Sequence, residues 1–184
     1  MKATEILIEE HEVIMRVLVA MVKAVKAIDA GNENPGFFLE AADFIKGFAD
    51  GCHHAKEEGA LFPAMEAGGV PVQGGPIGMM LAEHAQARVY TRLMRDAAEK
   101  WQRGDPSASQ DVVSNAAEYV RLLRMHIQKE NNIPFPMADR AIPLEKQHVL
   151  WDEFERIDKE ELGEGIRERY EALAEKLEHM SLKY

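Results

Sequence analysis

The chain carries one chemical phrase twice, and that duplication limits what it can fold into. His11 is followed forty-two positions later by His53 and then by Glu57, while His84 is followed forty-two positions later by His126 and then by Glu130. The second set is the first displaced by seventy-three positions, and its flanks move with it. Glu10-His11 returns as Glu83-His84, Gly31 as Gly104, and the run HHAKEEGALFP (53–63) as HIQKENNIPFP (126–136), with His, Lys, Glu, Phe and Pro in place. A repeat of this kind sets the architecture, because each half must form the same unit and bury its apolar face against a neighbour. What each half retains is two histidines and a carboxylate, a set of metal ligands.

Both halves show the helical period. Leu7, His11, Ile14, Leu18, Met21, Val25 and Ile28 recur by three and four before a stop at Gly31-Asn32. Phe38, Ala42, Ile45, Ala49, His53 and Glu57 follow Pro35-Gly36, with an end predicted near Pro63. After a Gly/Pro-rich link at Gly68–Gly78, a third segment carries Met80, His84, Ala87, Thr91, Met94, Ala98 and Trp101 as far as Gly104. The fourth opens at Asp105-Pro106-Ser107 and carries Val112, Ala116, Tyr119, Leu123, His126 and Glu130. An apolar fraction of 46% with only 7% aromatic residues, dominated by helix formers, agrees with an all-α protein. His11 to Gly31 is twenty residues, about 30 Å of helix, and Phe37 to His53 climbs back over sixteen. A hairpin therefore brings His53 level with His11, and the same count brings His126 level with His84.

The expected fold is all-α: an up-down antiparallel four-helix bundle over residues 1–140, built from repeats at about 4–67 and 77–140. Residues 141–184 are expected to add a C-terminal helical hairpin. Leu150, Phe154 and Ile157 form one periodic stretch there, Ile166, Tyr170, Leu173, Leu177 and Met180 another, with a break at Glu160–Gly165. That hairpin packs on the bundle or forms a homo-oligomer contact. A net charge of −10 speaks against nucleic-acid partners. The single cysteine, Cys52, excludes an intrachain disulfide and fits a reducing compartment. No secretory leader opens the chain and no run approaches the roughly 20 apolar residues of a membrane span, so the expected location is cytoplasmic, without a membrane partner.

Residues four apart project from one helix face, so His53/Glu57 and His126/Glu130 each offer two ligands to one point. With His11 and His84 the set is four imidazoles and two carboxylates, more than one tetrahedral zinc uses. Imidazole and carboxylate without thiolate suit iron or manganese and can hold zinc. Two metals bridged by Glu57 and Glu130 would use all six ligands and leave a position for a small exogenous ligand. Burying these carboxylates without a cation costs several kcal/mol each, which favours the metal over a plain polar core. Glu10 and Glu83 read as supports of the ligand histidines or as solvated positions. Tyr119 and Cys52 read as core, and His148 and His179 lie outside the repeat.

The H-x₃-E pairs of HHAKEEGALFP and HIQKENNIPFP, with the Glu-His of LIEEH and LAEH, resemble the hemerythrin family in its bacterial HHE cation-binding branch. The resemblance covers residues from about 4 to 140 and implies a non-haem di-iron centre. It further implies two iron ions (Fe2+/Fe3+, oxo- or hydroxo-bridged) in preference to manganese or zinc. Glu57 and Glu130 would bridge, with His11, His53, His84 and His126 as terminal ligands. The family's oxygen carriers commonly add a histidine one turn after the third-helix histidine, where this chain has Arg88. His54, unmatched in the second half where Ile127 stands, is the candidate replacement, and Glu58 the next. His54 also reads as a flanking group paired with Glu58, and Arg88 as a salt bridge at the rim. The implied function is binding of O2 or NO in oxygen or nitrosative-stress sensing or handling. The alternatives are an enzyme decomposing hydrogen peroxide or reducing NO, and a protein that repairs iron centres or donates iron. Repair relatives often carry an N-terminal cysteine-bearing extension, which is not expected here.

Overall fold

In the computed structural model, which describes residues 2–163 and 165–183, every regular element is helical. Helix α1 (Ala3–Asp29) begins with Glu5 accepting the backbone N–H of Lys2 at 2.8 Å and ends at Gly31, whose φ of 84° only glycine adopts without strain. Asn32 N–H then reaches back to the Ala27 carbonyl. Helix α4 (Pro76–Gln102) ends the same way, with Gly104 at φ 99° and Asp105 N–H bonded to the Lys100 carbonyl. The duplication thus extends to the helix stops. Helix α2 (Pro35–Phe44) is capped by the Asn34 side chain, which accepts Phe37 N–H. The approach to α5 (Ala108–Asn132) turns on the Asp105 carboxylate, which accepts Ser107 N–H and Oγ–H.

The two halves differ after α2. The helix continues without a break into two π-wound segments, Ile45–His54 and Glu57–Leu61, and then α3 (Phe62–Ala67). It therefore passes the end predicted near Pro63. Phe62 N–H bonds the Glu57 carbonyl five residues back, and Pro63 falls in the first turn of α3, where its missing N–H costs nothing. The corresponding α5 is α-wound to Asn132 and breaks before α6 (Pro134–Ala141), because the second half has Pro134 where the first has Leu61.

Helix α4 lies against α5 and α2, and α1 against α5. Of the C-terminal elements, α7 (Gln147–Ile157) packs on Glu57–Leu61, whereas α8 (Ile166–Ser181) lies along α1 and α2. Glu164, inside the expected break, lies outside the described residues. Two apolar clusters result. One holds Ile14, Leu18, Phe38, Phe48, Met94, Leu123 and, from α8, Leu177; the other holds Leu7, Leu61, Phe62, Met80, Phe135 and, from α7, Phe154. Each fully buried large side chain contributes roughly 1.5–3 kcal/mol. Along every long helix the metal-type residues fall between these clusters: His11 between Leu7 and Ile14, His53 between Ala49 and Leu61, His84 between Met80 and Ala87, His126 between Leu123 and Phe135. The site is a polar layer sealed on both sides by apolar packing. Among the described residues no helix is long and apolar enough to cross a membrane.

Candidate metal centre

His11, His53, His54, Glu57, His84, His126 and Glu130 are all buried and converge in that layer. They form two overlapping groups whose ligand atoms lie within 4.8 Å of one another: His11, His53, Glu57 and Glu130, and His54, Glu57, His84 and His126. Glu57 belongs to both. Glu130 also spans them, with Oε2 3.1 Å from His11 Nε2 and Oε1 3.1 Å from His126 Nε2.

Each imidazole is anchored on its outer nitrogen. His11 Nδ1 meets Asn131 Oδ1 at 3.0 Å, His53 Nδ1 meets Glu10 at 3.0 Å, and His54 Nδ1 meets Asp50 at 3.4 Å. His84 Nδ1 meets Glu58 at 2.8 Å and His126 Nδ1 meets Glu83 at 2.9 Å. Every partner is an oxygen acceptor, which places the ring proton on Nδ1 and turns the Nε2 lone pair inward. The inward atoms lack ordinary partners: Nε2 of His11, His53 and His54 and both oxygens of Glu57 and Glu130 make no hydrogen bond. His84 and His126 point their Nε2 atoms at each other, 3.0 Å apart. Orphaned buried polar atoms are rare because each costs about 1–3 kcal/mol. A cluster with acceptors facing one another is satisfied by cations at its centre, so the residues present fit a pair of metal ions.

The electrostatics say the same. Burial and the neighbouring charge of Glu130 push the Glu57 carboxyl well above its ordinary range. Glu130 goes the other way; burial is outweighed by the His126 charge and by the close approach of the His11, His126 and His84 imidazoles. Burial would lower His126, but Glu130 and Glu83 hold it at about 9. His53 falls to about 4 through burial and the proximity of His11. Without a cation, protons on Glu57 and His126 stand in for the missing positive charge.

The supports repeat as the ligands do. Glu10 and Glu83, each preceding a ligand histidine, hold the second histidine of their own half. Glu58 and Asn131, each following the inward glutamate, hold the first histidine of the opposite half. Phe135 stacks on His11 and its repeat mate Phe62 on His84. Glu58 meets the outer nitrogen of His84 and belongs to neither group of converging ligand atoms, and His54 pairs with Asp50, not with Glu58. Arg88, 42% exposed, binds Asp50 and Glu58 at the rim. Glu10 and Glu83 also pair with Lys56 and Lys129.

Sequence reasoning missed Lys56. It is fully buried, 2.5 Å from Glu10, 2.8 Å from Asp158 and 3.1 Å from Cys52 Sγ. Against the cost of burial, His53 and Lys56 hold the Glu10 carboxyl at about 2. The repeat marks the position, since Lys56 and Lys129 match, but not its burial, because Lys129 stays partly exposed. Asp50 and its mate Leu123 carry no such signal, because Asp50 belongs with His54 to the part of the first half that the second lacks.

A family model described as the hemerythrin HHE cation binding domain matches residues 2–138. Uncharacterized proteins of Mycobacterium tuberculosis and Mycobacterium bovis are 24% identical over 164 residues, a match covering 89% of this chain and 64% of theirs. The chain thus spans less than two thirds of the length of these curated relatives. No solved structure matches it.

Proposed function

The chain belongs to the hemerythrin HHE cation-binding family, and from that premise we propose that it holds two iron ions bridged by carboxylates and binds O2 or NO there. The arrangement proposed is an antiparallel four-helix bundle over residues 1–140, with 141–184 packed outside it. His11 and His53 would serve one ion and His54, His84 and His126 the other, with Glu57 and Glu130 between them. The observation that carries this is the pair of ligand groups sharing Glu57 around inward atoms that lack partners. Iron in such a site supplies one-electron chemistry toward a diatomic ligand. The chain's own residues do the rest. Nδ1 anchors fix each ring, which typically protects 10–100-fold of metal affinity. Two carboxylates offset the cationic charge in a dry layer. Phe62 and Phe135 close one side against water.

The test is anaerobic loading with ferrous iron, followed by metal analysis and visible spectra before and after O2 or NO. Two irons per chain and a reversible ligand-dependent band are expected. Uptake of fewer than two ions, or one-way oxidation with loss of iron, refutes the reading.

A further inference from the structure

Beside the metal layer, on the side of His54, lies a cavity of about 480 Å³ between the first π segment and α4. A diatomic needs roughly the space of one water, about 30 Å³, so this volume exceeds its requirement more than tenfold. Small organic ligands occupy sites of about 300–1,000 Å³. The wall is amphipathic. Ala42, Ile45 and Ala87 supply apolar surface, while Lys46, Arg88, Arg92 and Arg95 supply four cations against the two carboxylates of Asp43 and Asp50. Arg88 and Arg95 are taken up by ion pairs with those carboxylates. Among the described residues no ion-pair partner is seen for Lys46 or Arg92, both exposed. A surplus of positive charge at one opening is notable on a chain of net charge −10, and it selects for anions.

The second observation is Tyr119, which lines the cavity, is fully buried, and has a hydroxyl without any hydrogen-bond partner. A buried phenol normally finds an acceptor. We propose that this cavity binds a small organic carboxylate, its charge held by Lys46 and Arg92 at the mouth, its apolar body on Ala42 and Ala87, and an inner oxygen accepting the Tyr119 hydroxyl. The proposal rests on the metal reading only for what the bound anion lies beside, because His54 forms part of both walls.

Calorimetric titration of the iron-loaded chain with hexanoate, 5-oxohexanoate and hexylamine tests it, repeated on metal-free protein. One hexanoate per chain is expected, with no binding of hexylamine and tighter binding of 5-oxohexanoate. Lys46→Glu combined with Arg92→Glu should weaken both carboxylates at least tenfold while iron content stays the same. Tyr119→Phe should abolish the preference for the oxo compound and leave hexanoate binding intact. Absent carboxylate binding, equal binding of hexylamine, or an unaffected double variant overturns the proposal. Iron content measured on the same samples separates the two ideas: a loaded chain that ignores carboxylates sinks the cavity alone, and a chain that takes carboxylates without iron sinks the metal centre alone.

Discussion

Replacing Glu57 with glutamine separates what the centre costs the metal-free chain from what it returns to the loaded one. Glu57 is completely buried, neither oxygen has a hydrogen-bond partner, and burial with the Glu130 charge pushes its carboxyl well above the ordinary 4.5. A raised value means that the folded chain holds this proton more tightly than the unfolded chain. Its contribution is therefore full below 4.5 and is lost as pH rises toward the folded value. Glutamine is neutral throughout and offers Glu130 an N–H donor permanently. In chelator near pH 7.5, Glu57→Gln should be more stable than the native chain by about 1–3 kcal/mol, the cost of a buried polar group left without partners. That is about 2–12 °C in Tm for a chain of this size, and the gap should close toward about pH 5. Ferrous iron at a hundredfold excess over its Kd should add about 2.7 kcal/mol per bound ion to the native chain and much less to the variant, reversing the order. Scanning calorimetry with chelator and with anaerobic iron, at both pH values, measures all four terms. A variant less stable than the native chain in chelator, or one that loads two irons as tightly, would refute the reasoning.

Three further outcomes are expected. His54→Ile copies Ile127 of the second half and should cost the ion on the His84/His126 side, so that chelator challenge leaves about one iron per chain by metal analysis. Glu10→Gln and Glu83→Gln should each weaken iron binding about 10–100-fold in chelator competition. Only Glu10→Gln strips a partner from a fully buried lysine, and it alone should lower urea stability by about 3–5 kcal/mol. Gly47→Ala would place a methyl against the Tyr170 ring, whose hydroxyl lies 1.7 Å from the new carbon. Loss of about 1–3 kcal/mol in denaturant melts is expected, with the iron content of the folded fraction unchanged.

The long helices, their glycine stops and the convergence of the inward histidines and glutamates were legible because each is written twice at one offset; a residue present in both halves on the inward stripe is hard to explain by chance. His54 could be picked out only by its departure from that rule. The π winding of Ile45–His54 was not legible. The segment packs against α4 and α8, whereas its repeat mate in α5 is regularly wound. Nor was the burial of Lys56, since a lysine enters a core only when oxygens wait for it, and Asp158 comes from a distant part of the chain. The supports from Glu58 and Asn131 were within reach, being adjacent to the inward glutamates, but their pairing across the halves is a tertiary fact.

That crossed support has a consequence for how such a centre can change. A twofold pair of identical hairpins would present the same ligands and the same reciprocal anchors, and every substitution would then strike both metals at once. Tethering the two hairpins in one polypeptide lifts that obligation. Here the freedom shows where His54, Asp50 and Arg88 correspond to Ile127, Leu123 and Met15, and where the anchor Glu58 corresponds to Asn131. The two ligand groups therefore differ in chemistry, and two ions held there would not share one redox potential or one exchange rate.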